Sequence, residues 1–118
     1  MHEFSIGERI VEAVRTEVGR LNPPPVRVTR VRLTVGKLHQ IIPDYLTFAF
    51  QTLTKETLAE GSELIVAESP VRGRCRACGW EGEIEVPFFS CGACKTTQIE
   101  TTQGMELRLD GLEVELDE

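Results

Sequence analysis

Between Phe4 and Leu21 the apolar residues Ile6, Ile10, Val14, Val18 and Leu21 recur every three or four positions, with Val11 beside them and charges elsewhere. That spacing places them on one face of a helix, so the segment predicts an amphipathic helix over residues 4–21. Asn22-Pro23-Pro24-Pro25 stops it, because proline lacks an amide donor and drives the residue before it out of the helical region. The period then changes. Within residues 26–35, Val31, Leu33 and Val35 alternate with Arg30, Arg32 and Thr34, the pattern of a strand with one buried face and one arginine-bearing face.

Gly36 ends this strand, and residues 36–42 read as a loop. Pro43 and Asp44 then open a second helix, since proline at the first helical position forfeits no hydrogen bond and a carboxylate suits the positive end of the helix. Leu46, Phe50 and Leu53 form its buried stripe, with Ala49 and Leu58 adjoining, and Gly61 is placed to end this helix or the turn after it. Residues 62–68 predict a second strand through Leu64, Ile65 and Val66. Residues 105–116 predict another, whose apolar phase shifts at Asp110-Gly111, the mark of a bulge or a turn. A lone final strand would leave its backbone groups unpaired, so it should join the first two.

Residues 71–104 differ in character: four cysteines, several glycines, and short strand-like pieces at 82–86 and 98–101. The expected class is α+β: two helices packed on a three-stranded sheet, with an inserted four-cysteine zinc-ribbon domain. Residues 1–70 plus 105–118 make the core domain and residues 71–104 the ribbon, which is too small for a substantial apolar core and should draw much of its folding free energy from metal.

The cysteines carry the chemistry. Cys75-Arg-Ala-Cys78 and Cys91-Gly-Ala-Cys94 are two C-x-x-C pairs separated by twelve residues, a spacing that can bring four thiolates around one tetrahedral Zn2+. Gly79 and Gly92 supply tight backbone turns at the two pairs. Four thiolates leave no open position for water, so such a zinc is structural and not catalytic. Iron in a rubredoxin-like site is chemically allowed by the same donors.

Net charge is −6 with a pI near 5.0, which removes the basic field that general nucleic-acid binding needs. No window approaches eighteen uninterrupted apolar residues and the first twenty carry many charges, so neither a membrane span nor a secretory signal is expected, and the default compartment is the cytoplasm. That compartment is reducing, which favours metal over disulfides at the four cysteines. With two histidines, no phosphate-binding glycine loop and a saturated zinc, no catalytic set can be assembled, and the chain is not expected to be an enzyme.

The chain opens Met1-His2-Glu3. An α-amine, deprotonated backbone amides and an imidazole can form fused chelate rings around a metal that favours four planar nitrogens, which describes Ni2+ and Cu2+. The arrangement demands an unextended terminus. Here the sequence closely resembles the HypA family of nickel metallochaperones. The resemblance rests on the Met1-His2-Glu3 start, the helix-strand-helix-strand order, the phrase Arg27-Val28-Thr29-Arg30-Val31-Arg32-Leu33, the Leu58-Ala59-Glu60-Gly61 turn, the two C-x-x-C pairs and Glu106-Leu107-Arg108. It covers essentially the whole chain.

The resemblance implies a protein that carries Ni2+ as transferable cargo to the large-subunit precursor of nickel-iron hydrogenase. Family members work with the GTPase HypB, and some support urease maturation. It also implies His2 as the indispensable nickel ligand, with Met1 and Glu3 contributing chiefly terminal or backbone nitrogen, and Cys75, Cys78, Cys91 and Cys94 as ligands of a structural Zn2+. Asp44 matches an acidic residue that approaches nickel in some members; favourable charge at the helix start is the equal alternative. No family role carries over to His39, which reads as a solvent-facing loop histidine. The rival function is a zinc-ribbon adaptor for protein or nucleic acid, supported by Arg72, Arg74 and Arg76 on alternate positions, with Glu81, Glu83 and Glu85 placed to neutralise them. Val86-Pro87-Phe88-Phe89 fits either a partner contact or the packing of the ribbon.

Overall fold

The computed structural model describes residues 2–86 and 88–117. Along them run α1 (His2–Arg20), β1 (Arg27–Gly36), a 3-10 turn (Lys37–His39), α2 (Pro43–Leu53), β2 (Glu63–Ser69), β3 (Arg72–Cys75), β4 (Glu81–Glu83), β5 (Ile99–Gln103) and β6 (Leu107–Glu115). Two three-stranded sheets form, ordered β2-β1-β6 and β4-β3-β5. The last strand therefore pairs with the first, and the α+β class with a four-cysteine ribbon holds. The chain divides into two compact units, one of Met1–Leu33, Ile41–Ala67 and Arg108–Glu118, the other of Thr34–Gln40 and Glu68–Leu107. Among the described residues no helix is long and apolar enough to cross a membrane.

In the first unit Ile6, Ile10 and Val14 of α1, Val28, Val31 and Leu33 of β1, and Leu46, Ala49 and Phe50 of α2 are all buried. The period-3.6 stripes of the helices and the alternating row of the strand supply this core. Gly7 lets the helices approach closely: a Cβ there would stand 3.1 Å from Leu53 Cδ1 and 3.4 Å from Ala49 Cβ. Leu58 lies beyond the end of α2 and is exposed, so it is not part of that helix's stripe. Its carbonyl instead accepts the Val28 N–H at 2.8 Å. Gly61, at φ +77°, belongs to the turn after α2.

The polar side of β1 is neutralised from both neighbouring strands. Arg30 pairs with Glu63 of β2 at 2.8 Å and with Glu113 of β6 at 2.9 Å, while Arg32 reaches Glu113 at 2.7 Å and Arg27 reaches Glu115 at 3.1 Å. The phase shift at Asp110-Gly111 does not break the chain into a turn, because β6 continues through it.

In the second unit β3 pairs antiparallel with β4, Arg72 opposite Glu83 and Arg74 opposite Glu81, and on its other side with β5, Cys75 opposite Ile99. The strand-like piece expected at 82–86 lies one residue earlier and is shorter. Ile84 leaves the sheet, buried, with its N–H on Val71 O at 2.8 Å.

Candidate metal centres

The two C-x-x-C pairs converge. The four sulfurs of Cys75, Cys78, Cys91 and Cys94 all lie within 4.8 Å of one another. Cys75 Sγ is 3.7 Å from Cys94 Sγ and Cys78 Sγ is 3.6 Å from Cys91 Sγ. A tetrahedron with metal–sulfur bonds of about 2.3 Å has edges of about 3.8 Å, so the cluster has the size of one tetrahedral four-thiolate site.

Backbone geometry is repeated at the two pairs with the same offsets. The Cys75 N–H donates to Trp80 O at 2.7 Å and the Gly79 N–H to Cys75 O at 3.0 Å. In the second pair the Cys91 N–H donates to Thr96 O at 2.9 Å and the Lys95 N–H to Cys91 O at 3.2 Å. Each turn aims amide N–H groups at its first sulfur: those of Ala93 and Cys94 both reach Cys91 Sγ at 3.3 Å.

This wiring splits the thiols. Burial raises Cys75 and Cys91, yet the amides of Cys78 and Ala77, and of Cys94 and Ala93, outweigh it, lowering Cys75 and bringing Cys91 down to about 6. At Cys78 the Trp80 amide favours the thiolate, but the Cys91 sulfur, burial and the other sulfurs push it up to about 12. At Cys94 the Thr96 amide is likewise overcome by burial and by Cys91 and Cys75, and the thiol is raised. Four adjacent thiolates repel one another strongly unless a cation sits among them. The donor set thus fits a divalent metal.

Gly79, at φ +81°, takes the left-handed turn after the first pair. Gly92 has a different reason from the one expected: a Cβ there would stand 2.7 Å from Cζ2 of Trp80, and one on Gly82 would stand 2.6 Å from the same atom. The indole fills space left by both glycines beside the second cysteine pair. Nothing in the C-x-x-C pattern announces this. The three ribbon arginines are met by carboxylates, Arg74 by Glu81 at 3.8 Å and Arg76 by Glu100 at 3.7 Å, with Arg72 opposite Glu83. Glu100 takes the place expected of Glu85.

At the other end of the chain, His2 starts α1 with a half-exposed ring, its Nδ1 3.7 Å from Glu3 Oε1. Glu3 is 5% exposed. Its Oε2 accepts the Ile42 N–H at 3.1 Å, and that bond, foremost, holds the carboxyl below its usual range. Ile42 caps α2, so the link brings the first turn of α1 to the end of α2 that carries Asp44. Asp44 is exposed in the first turn of α2. Met1 lies outside the described residues. His39 closes the 3-10 turn, with Nε2 3.0 Å from Met105 O, so it is a tethered residue of the second unit.

A family model described as "Hydrogenase/urease nickel incorporation, metallochaperone, hypA" matches residues 1–114. The hydrogenase maturation factor HypA of Desulfosudis oleivorans is 38% identical over 116 residues, covering 97% of this chain and 98% of its own. That of Nostoc punctiforme is 40% identical over 115 residues, covering 98% and 96%. The solution structure of the Ni metallochaperone HypA from Helicobacter pylori, 20% identical, superposes with a TM-score of 0.67 over 98% of each chain, which supports the fold. With a match that spans nearly every residue from the amino terminus through both cysteine pairs, the chain belongs to the HypA family of nickel-incorporation metallochaperones for hydrogenase maturation.

Proposed function

We propose that this chain carries Ni2+ at Met1, His2 and Glu3, with Asp44 of the first turn of α2 as a further ligand, and hands it to the large-subunit precursor of nickel-iron hydrogenase. The family assignment supports the cargo. The observation that carries the location is the half-exposed imidazole of His2 on the first turn of α1, beside a buried carboxylate. Backbone amides in a first helical turn have no intrahelical acceptor. The His2 and Glu3 nitrogens can therefore deprotonate and bind nickel without breaking a helix bond.

Zn2+ at Cys75, Cys78, Cys91 and Cys94 is the resident metal of this reading, because it accepts a closed tetrahedron of thiolates and holds it without redox chemistry. Those residues define a zinc domain at 71–104, and residues 1–70 with 105–118 a nickel domain. Transfer is ligand exchange with no bond made or broken in a substrate, so the protein is not an enzyme. HypB is the expected GTPase partner, urease maturation proteins are a second client set, and the cytoplasm keeps the thiols reduced. The rival reading as a zinc-ribbon adaptor for nucleic acid is weakened by the carboxylates facing Arg72, Arg74 and Arg76.

A calorimetric Ni2+ titration of zinc-loaded protein tests this, comparing the chain with His2→Ala and with a version extended by one residue before Met1. One equivalent of nickel, lost in both variants and weakening as pH falls from about 8 to 5, is expected for amide-nitrogen coordination. Equal binding by all three proteins would move nickel elsewhere.

A further inference from the structure

Exposed apolar side chains line the start of α2. Ile42, Tyr45 and Phe48, spaced by three along the start of α2, are 48%, 53% and 61% exposed. That spacing aligns them on one face of the helix. Phe4 of α1 extends the row, its ring edge-on to Phe48 with centroids 6.3 Å apart at 76°. The row begins at Ile42, whose N–H is held by Glu3. It therefore runs from the residue next to His2 along the outside of both helices.

Two exposed carboxylates lie beside it along the chain. Asp44 precedes Tyr45, and Glu8 lies one turn beyond Phe4; both are exposed. Among the described residues neither carboxylate is in an ion pair. No Lys or Arg occurs in residues 1–8 or 38–54. Contiguous exposed aromatic surface with an acidic rim marks a contact for a partner that is apolar at its centre and basic at its edge.

We propose that this row is the docking face for the nickel acceptor, the nickel-free large-subunit precursor, which seats an aliphatic or aromatic side chain flanked by Lys or Arg between Tyr45 and Phe48. The inference rests on the nickel reading above. Ligand exchange passes through a state in which both proteins hold the same ion, so the acceptor must cover whatever surface borders His2. The acidic rim steers a basic acceptor edge toward it.

The test measures binding of the purified nickel-free precursor to zinc-loaded protein and to Tyr45→Ser, Phe48→Ser and Glu8→Lys, with Ni2+ titrated into each. Tyr45→Ser guards against misfolding of Phe48→Ser, since Phe48 also packs on Phe4. Precursor affinity should fall at least about tenfold in both serine variants, the loss expected of a buried aromatic anchor. Glu8→Lys should weaken binding and flatten its salt dependence. One equivalent of nickel should still bind in all of them. Precursor affinity unchanged while nickel binds normally would overturn the docking face and leave the nickel reading standing. Absence of nickel binding in the unaltered protein, with precursor binding still lost in the variants, would overturn the nickel reading alone. Loss of self-association, or of HypB binding, with precursor binding intact would assign the face to a second copy or to the GTPase and overturn the proposal.

Discussion

Glu3 and Ile42 are joined by a side-chain-to-backbone hydrogen bond, Glu3 Oε2 accepting the Ile42 N–H at 3.1 Å. It crosses from the first turn of α1 to the residue that caps α2, where no side chain of α2's own supplies a cap. Glu3→Ala strips the acceptor from a nearly buried carboxylate and leaves the amide unpaired, whereas Glu3→Gln retains an oxygen. Thermal unfolding is expected to drop by several degrees in the alanine variant and by less in the glutamine variant. An alanine variant that melts at the temperature of the unaltered protein would show that the bond adds nothing.

Trp80 is the only tryptophan in the chain, and its ring occupies the space that side chains at Gly82 and Gly92 would need. Gly92→Ala forces the indole or the second cysteine turn to move, at a cost of about 1–3 kcal/mol for overpacking. Trp80 emission should shift and metal should be lost to a chelator more readily. Gly79→Ala acts otherwise: it strains a left-handed turn by roughly 1–2 kcal/mol with no methyl clash, since nothing lies within 4 Å of a Cβ there. Emission of the metal-loaded protein should then remain unchanged, and a shift equal to that of Gly92→Ala would sink the distinction.

The elements written by periodicity were the ones legible beforehand. α1 follows from Ile6, Ile10 and Val14, β1 from Val31, Leu33 and Val35, and α2 from Pro43 and the stripe through Leu46 and Phe50. β3 was not legible as a sheet centre, because Arg72-Gly73-Arg74-Cys75 buries a glycine and a metal-site cysteine in place of branched apolar residues. It is a strand because β4 and β5 pair with it on both sides. The approach of the cysteines could be read from spacing alone, since each turn is local. The Glu3–Ile42 link spans 39 positions and left no local mark. Arg76 found Glu100 rather than Glu85 for a related reason: β5, not the residues after β4, lies beside it.

Metal removal should separate the two units. Among the four mutually close sulfurs, Cys78, pushed up to about 12, and Cys94, also raised, carry protons at neutral pH in the metal-free protein. Loading a divalent metal must release them. Calorimetry at pH 7 in buffers of different ionisation enthalpy should report proton release on Zn2+ binding, and affinity should fall as pH is lowered. A strong chelator should change Trp80 emission while leaving the far-ultraviolet helical signal of α1 and α2 largely in place, because both helices belong to the first unit. Concerted loss of helix and emission would mean that the units fold as one.

Glu113 offers a pH test away from both metal centres. Hydrogen bonds from Arg32 and then Arg30 hold its carboxyl below the ordinary value of 4.5. A carboxylate lowered in the folded state stabilises fully above its unfolded pKa, and that stabilisation is lost as pH falls through the folded value. Glu113→Gln should therefore melt below the unaltered protein by a constant margin above about pH 5.5, and the margin should shrink progressively below pH 4.5. The pairs are partly solvated, so the margin should be small and should narrow further in 1 M salt. A margin that persists unchanged to pH 2 would mean that Glu113 contributes through packing or neutral hydrogen bonding and not through its charge.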